Sequence, residues 1–429
     1  VNVLVLGAAV SGRAAARLAR RLGHEVAVFD ERSRAVADLS SEEYRVHSGT
    51  WNPGLLTDVD LVVTSPGFAE GSTPIRDVRD REITLWSELE FGCRHLDAPY
   101  VAVTGTNGKT TVTTAAAAML EASGRRTVAA GNVGTAVSAI AGEPWDVVVV
   151  EASSFQLRFV SAFHPSAAAV VNVAPDHLDW HGTLSRYTAA KARIFERMTD
   201  AEPLAFDVED RGAASLVAAA AARLVPVAGD RVPEGGNGVE DGLLVVDGHR
   251  LRAGIADPSF RLDLVLAATV ARAAGASLEA IATVAATFRP GAHRREIVGT
   301  WDGVRWVDDS KATNPHAARA AVAAFRPVVL LAGGRNKGLD LTGLATAPGV
   351  RHLVAFGEAG PALAAAAGPR EVTRVATLRE AVDVAAAVAR SGDTVLLAPG
   401  CTSFDEFASY AERGRTFARL VRERGQGSW

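Results

Sequence analysis

The sequence predicts an α/β protein of three consecutive α/β domains. Length is the first ground: 429 residues are too many for one ordinary core, and about 150 residues per domain gives two or three. Alternation is the second, because short Val/Leu-rich strands ending in glycine lead repeatedly into Ala-rich helical stretches, as parallel sheets covered by helices require. Breaks near Cys93 and at Arg289-Pro290-Gly291 are the third, and they set expected domains at 1–93, 94–291 and 292–429. The first and last read as Rossmann-like and the middle one as a P-loop-type domain.

In the first domain, strands are expected at Val3–Leu6, Glu25–Asp30 and Asp60–Thr64, with Ser65-Pro66-Gly67 turning after the third. The second opens at Pro99-Tyr100 and adds strands at Asp146–Glu151 and Ala168–Val173. A flexible turn is expected at Pro233–Gly238, then a hairpin on Asp247-Gly248 and two helical stretches up to Phe288. The third has a hairpin on Asp302-Gly303 and strands at Arg305–Asp308, Val328–Ala332, Leu353–Phe356 and Thr394–Ala398. The Arg289-Pro290-Gly291 turn reads as a hinge between domains.

Composition excludes several classes. Net charge is −4 with dispersed basic residues, so no nucleic-acid footprint is present. Cys93 and Cys401 stand far apart without a CxxC or Cys/His cluster, which argues against a disulfide framework or zinc site and for a reducing cytoplasm. No secretory signal is read at the start. The Ala213–Ala222 run is short, weakly apolar and followed by Arg223, so it reads as a helix of a water-soluble domain, not a membrane span.

The richest segment is Val101-Ala-Val-Thr-Gly-Thr-Asn-Gly-Lys-Thr-Thr111, a strand joined to a helix by a loop suited to phosphate. Gly105 and Gly108 let backbone amides turn toward an anion, Lys109 supplies a charge for β/γ-phosphates, and the Thr110 hydroxyl suits Mg²⁺. Val103 stands where a standard loop has its first glycine, so the loop is a shortened one. Glu151 ends a strand of four valines, where a carboxylate can face that loop. Asn172-Val-Ala-Pro-Asp-His-Leu-Asp179 then places His177 and two acids beyond another strand, at the carboxyl edge where open α/β sheets bind ligands. A lone histidine more often caps a helix or sits in a core; the acids and the phosphate loop favour a metal or phosphoryl site. The opening Gly7-Ala-Ala-Val-Ser-Gly12, with Asp30 ending the next strand, half-matches a dinucleotide fingerprint. Ala9 replaces the glycine that would let backbone approach a pyrophosphate, which favours another nucleotide or a nucleotide-sugar over NAD.

These segments, with Glu151-Ala-Ser-Ser-Phe-Gln156, Lys191-Ala-Arg193, His293-Arg294, Asp309-Ser-Lys-Ala-Thr-Asn314 and Pro399-Gly-Cys-Thr-Ser-Phe-Asp405, resemble the Mur ligases in order and spacing from the first strand to the final helix. The resemblance implies an ATP-dependent amide ligase of cytoplasmic peptidoglycan precursor synthesis, adding D-glutamate to UDP-N-acetylmuramoyl-L-alanine through an acyl phosphate. It implies catalytic roles for Lys109, Glu151, His177 and Lys191. ATP would be held by Gly105, Thr106, Asn107, Gly108, Lys109, Thr110, Thr111, His293, Arg294, Asp309 and Lys311. Two Mg²⁺ sites would use Thr110, Glu151, His177 and Lys191, the lysine as a carbamate. Ser11, Gly12, Asp30, Gly67 and Asn132 would meet the UDP-substrate, and Thr313, Lys337, Ser403 and Tyr410 the glutamate. A monomer binding neither nucleic acid nor membrane is the family expectation.

One segment departs from the family. Its usual His-Asn-x-x-Asn, which contacts adenine and ribose, is replaced by Phe260-Arg-Leu-Asp-Leu264, with Arg261 or Asp263 as candidate substitutes. Charges alone do not separate D- from L-glutamate. An L-glutamate-specific ligase, another Mur or folylpolyglutamate-type ligase, a catalytically silent nucleotide-binding relative and an NAD-dependent dehydrogenase stay open as alternatives.

Overall fold

The computed structural model describes residues 1–37, 39 and 44–426. Contacts divide the chain into two compact units, Val1–Val173 with Trp180–Phe288, and Ala174–Asp179 with Arg289–Trp429.

The first unit carries two sheets. One is five-stranded and wholly parallel, in the order Arg45–Ser48, Glu25–Asp30, Asn2–Leu6, Leu61–Thr64, Thr84–Ser87. The other has nine strands, with Tyr100–Thr104 flanked by Ala167–Val170 and Val147–Glu151, and with Thr127–Gly131 at one edge. Its other edge turns antiparallel at Asn237–Glu240, Leu243–Val246 and His249–Leu251. The strand Val147–Glu151 is buried along its whole length, and each such valine stabilises the fold by about 1.5 to 3 kcal/mol. The helices Lys109–Ala122, Pro258–Ala273 and Leu278–Thr287 cover one face with Val112, Leu120, Leu266 and Ile281.

The second unit has six strands in the order Glu296–Trp301, Val304–Asp308, Thr394–Gly400, Val328–Gly333, Val350–Phe356, Glu371–Arg374. Only Glu296–Trp301 among them runs antiparallel to its neighbour. This α/β architecture of three sheets is the one the sequence predicts. Both hairpins form where expected, with positive φ at Asp247 and Gly248 and at Asp302 and Gly303, the backbone of two-residue turns that follow strand twist.

Two segments differ from expectation. Of Pro233–Gly238 only the first part turns, because Asn237 and Gly238 enter a strand. The buried Asn237 side chain donates to Thr269 Oγ1 at 2.9 Å and accepts the Asp247 amide at 2.9 Å, so tertiary bonds override local turn chemistry. A Cβ at Gly236 or Gly238 would lie 1.9 Å from a backbone carbonyl, so these glycines permit close approach of chains rather than flexibility. The Ala-rich run is helical only to Val217 and leads into the strand Arg223–Ala228.

Candidate active site

The phosphate loop connects the central strand Tyr100–Thr104 to the helix Lys109–Ala122, as expected. Gly108 caps that helix at φ 81° and Gly105 adopts φ 155°, conformations open to glycine and costly for other residues. The Lys109 ammonium donates to the carbonyls of Gly105 at 2.8 Å and Thr106 at 2.9 Å, so its charge is folded over the loop. Asn172 braces the turn: its Oδ1 accepts the Asn107 amide at 2.8 Å and its carbonyl accepts the Thr106 amide at 2.9 Å. Thr106 Oγ1 also meets the Tyr187 hydroxyl at 2.9 Å. Thr110 and Thr111 lie in the first turn, beside the helix amides that favour an anion.

Strand register brings Glu151 to this loop, opposite Val103 on one side and Gly131 on the other. Its Oε1 accepts from Asn132 Nδ2 at 2.7 Å, while Oε2 is buried with no partner among the described residues. An orphaned buried carboxylate oxygen beside a phosphate loop fits a divalent cation, with the Thr110 hydroxyl as a second oxygen donor. Lys191 is buried, and its Nζ donates to the Gly105 carbonyl at 2.6 Å and lies 4.7 Å from the Tyr187 ring.

At the carboxyl edge of the first sheet, Asp30 accepts the Ala8 amide at 2.9 Å and pairs with Arg32 at 3.1 Å. Burial works to raise its pKa, but Arg32 and the amides outweigh this and hold it below the usual carboxylate range. A Cβ at Gly12 would lie 1.8 Å from the Gly7 carbonyl, so Gly12 serves helix–strand packing and can offer a ligand only backbone. Ser11 is half-buried at the helix start, and the space beside Gly67 is open. A separate cavity of about 440 Å³ at the amino edge of this sheet, between His24, Asp60, Trp86 and Arg94, holds none of the predicted site residues.

In the second unit, a cleft of about 830 Å³ gathers His177, Thr313, Lys337, Ser403 and Tyr410, with Arg335 and Phe404 at its wall. Three of its segments leave adjacent strands at one sheet edge, after Asp308, Gly333 and Gly400. Lys337 pairs with the buried Asp176, which also accepts from Asn314 Nδ2 at 3.0 Å and lies 3.7 Å from His177. Burial raises the Asp176 pKa, but Lys337 and His177 prevail and hold it low. Beside the cleft, His293 Nδ1 meets Asp308 at 2.7 Å and Lys311 Nζ sits 3.9 Å over the Tyr410 ring. Asp309 accepts the Arg295 amide at 3.2 Å, and burial pushes its pKa up to about 6 against the pull of Arg295 and Arg294. Sequence reasoning gave His177 a place beside a cation; the structure lines the cleft with it, at φ 53°.

Residues 1–87 match the profile of the Mur ligase MurD-like N-terminal domain, 103–228 the Mur ligase middle domain, and 293–401 the Mur ligase glutamate ligase domain. A UDP-N-acetylmuramoylalanine--D-glutamate ligase of Frankia casuarinae is 44% identical over 447 residues, covering 98% of this chain and 94% of that protein. A protein of the same name from Shouchella clausii is 39% identical, covering 98% and 96%. The chain belongs to the Mur ligase family. The fold of this Mur ligase agrees with the crystal structure of MurF from Acinetobacter baumannii, at a TM-score of 0.64 and 16% identity over 92% of this chain and 90% of that one.

Two site features of this Mur ligase escaped sequence reasoning. Asp176, passed over for its neighbour His177, is the acid that holds Lys337. Ser65 Oγ is buried without a partner among the described residues, and a Cβ at Gly7 would lie 2.6 Å from it; Ser65-Pro66-Gly67 signalled only a turn. In the departing segment, Leu264 is core and Arg261 Nε donates to the Ile255 carbonyl at 2.8 Å, whereas Asp263 faces the phosphate loop, 2.6 Å from where a Gly108 Cβ would stand.

Proposed function

We propose that this Mur ligase uses ATP to join D-glutamate to UDP-N-acetylmuramoyl-L-alanine, in peptidoglycan precursor synthesis. The observation that carries the reading is identity of 44% across almost the whole chain to a protein named for that reaction. The domains 1–93, 94–291 and 292–429 would hold the UDP-substrate, ATP and glutamate respectively. The terminal alanine carboxylate attacks the γ-phosphorus and ADP departs, leaving an acyl phosphate. The glutamate amine then attacks the acyl carbon and expels phosphate. Both steps call for positioning and charge neutralisation rather than a protein nucleophile.

The chain's residues suit those demands. Loop amides and Lys109 neutralise phosphate oxygens, and Asn132 holds Glu151 at the loop edge. Thr110 and Glu151 would hold one Mg²⁺, and a carbamylated Lys191 would serve a second; bound cations would offset charge on the phosphates. Carbamylation would give the buried Lys191 an anionic oxygen, which suits a cation better than its ammonium does. Lys337, Thr313 and Ser403 supply a charge and hydroxyls for glutamate's two carboxylates. His293, Arg294, Asp309 and Lys311 would meet the nucleotide. We read the enzyme as a cytoplasmic monomer; no helix among the described residues is long and apolar enough to cross a membrane.

Phosphate release with ATP, Mg²⁺ and UDP-N-acetylmuramoyl-L-alanine tests this, with D- or L-glutamate in parallel and the product weighed by mass spectrometry. Ligation with D-glutamate alone is expected, and a preference for L-glutamate would reassign the enzyme to an L-specific branch. Removal of CO₂ from the buffer should lower the rate, with bicarbonate restoring it, if Lys191 works as a carbamate.

A further inference from the structure

Arg413 is fully buried, and no carboxylate among the described residues lies within ion-pair distance of it. Asp308, Asp405 and Glu406 act on it only from farther away, and burial brings its pKa down to about 10, so it stays charged at neutral pH. A buried charge without a counterion is costly unless hydrogen bonds satisfy it. Here backbone and a hydroxyl do so. Its Nε donates to Ser310 Oγ at 3.0 Å, and Nη2 to the carbonyls of Ser310 at 3.0 Å and Cys401 at 3.1 Å. Nη1 donates to the Thr402 carbonyl at 3.1 Å.

Each partner lies within two residues of a site residue. Ser310 stands between Asp309 and Lys311, and Cys401 and Thr402 lead into Ser403. The loop carrying Lys337 closes on the same point: Arg335 exchanges backbone bonds of 3.0 Å with Thr402, and a Cβ at Gly334 would meet the Thr402 carbonyl at 2.1 Å and Arg413 Nη1 at 3.0 Å. Tyr410 and Gly414 share a helix face with Arg413, at i, i+3 and i+4. Tyr410 walls the cleft, and Gly414 leaves room for the His293–Asp308 pair, whose Nδ1 would stand 2.2 Å from a Cβ there.

We propose, on the ligase reading above, that Arg413 is a positioning residue that fastens the nucleotide-side segment at Ser310 to the glutamate-side loop at Cys401–Ser403, so that one guanidinium sets both half-sites. A planar fork with several donors can span these acceptors; an ammonium on a lysine stem cannot.

The test uses Arg413→Lys and Arg413→Ala in the full chain. Arg413→Lys should raise KM for D-glutamate and for ATP by about tenfold or more, as loss of charged hydrogen bonds implies. Its kcat should change little, the sign of lost ground-state positioning. ADP affinity measured by calorimetry should fall in step. Millimolar guanidinium should restore D-glutamate affinity to Arg413→Ala, and methylammonium should not. Folded variants whose KM values and ADP affinity stay within about twofold of wild type would overturn the proposal, even where apparent kcat falls with the folded fraction. If Arg413→Ala does not fold, Arg413→Lys decides. Wild-type protein that binds ADP but never turns over D-glutamate would sink the ligase reading instead, and the ADP comparison would still judge Arg413.

Discussion

Glu151 ends a strand of buried valines with one oxygen bonded to Asn132 and the other without a partner among the described residues. No cation among the described residues pairs with that charge, and an uncompensated buried carboxylate oxygen costs about 1 to 3 kcal/mol. The proposed cation site would give that charge its use. Glu151→Gln keeps an oxygen for Asn132 and removes the charge. The variant should melt at the same temperature as wild type or higher without ligands, while ligation slows by about a hundredfold and demands more Mg²⁺. Thermal melts and phosphate release at graded Mg²⁺ would check both halves, and a variant that is less stable yet equally active would contradict the assignment.

Between residues, the phosphate loop shows what sequence disclosed and what it hid. Strand, glycines, lysine and helix were legible because each is local: spacing and residue type suffice. The same holds for the two hairpins, whose Asp-Gly pairs dictate their own backbone. Edge strands such as Arg45–Ser48 and Thr127–Gly131 were not legible, since polar and Ala-rich stretches gain their strand character from neighbours distant in sequence. Asp176, Ser65 and Arg413 were hidden for the same reason, each defined by partners that only the fold supplies. Asp263 shows the intermediate case: the departure from the family was readable, and its facing the loop was not. Gly108 is thus fixed twice, by φ 81° and by the Asp263 carboxylate behind it. Gly108→Ala should cost about 1 to 3 kcal/mol of stability and abolish measurable ATP binding, by denaturant titration and calorimetry. Intact nucleotide affinity would show that the loop tolerates a side chain there.

Across the larger unit, the two sheets are joined by side chains that sequence spacing does not connect. Glu88, deeply buried, accepts the Ser138 amide at 2.7 Å, and Arg21 donates to the Ala141 carbonyl at 3.2 Å. Glu70, three residues beyond Gly67 among the segments of the five-stranded sheet, takes Arg158 Nε from those of the nine-stranded sheet at 2.7 Å and Arg79 at 2.8 Å. Arg158 first, then Arg79, outweigh partial burial and hold the Glu70 pKa at about 2, against an ordinary 4.5. A carboxyl whose folded pKa lies below its unfolded one stabilises fully above the unfolded value, and that contribution fades as pH falls toward the folded one. Glu70→Gln should therefore unfold at lower urea than wild type at pH 7, with the gap unchanged at pH 6. The gap should shrink as pH drops below about 4.5. Because the group is partly exposed, salt should narrow it as well. Urea titrations at pH 7, 6 and 3.5, at low and high salt, would check this. A gap that stays constant down to pH 3.5 would mean that Glu70 joins the sheets by shape rather than by charge.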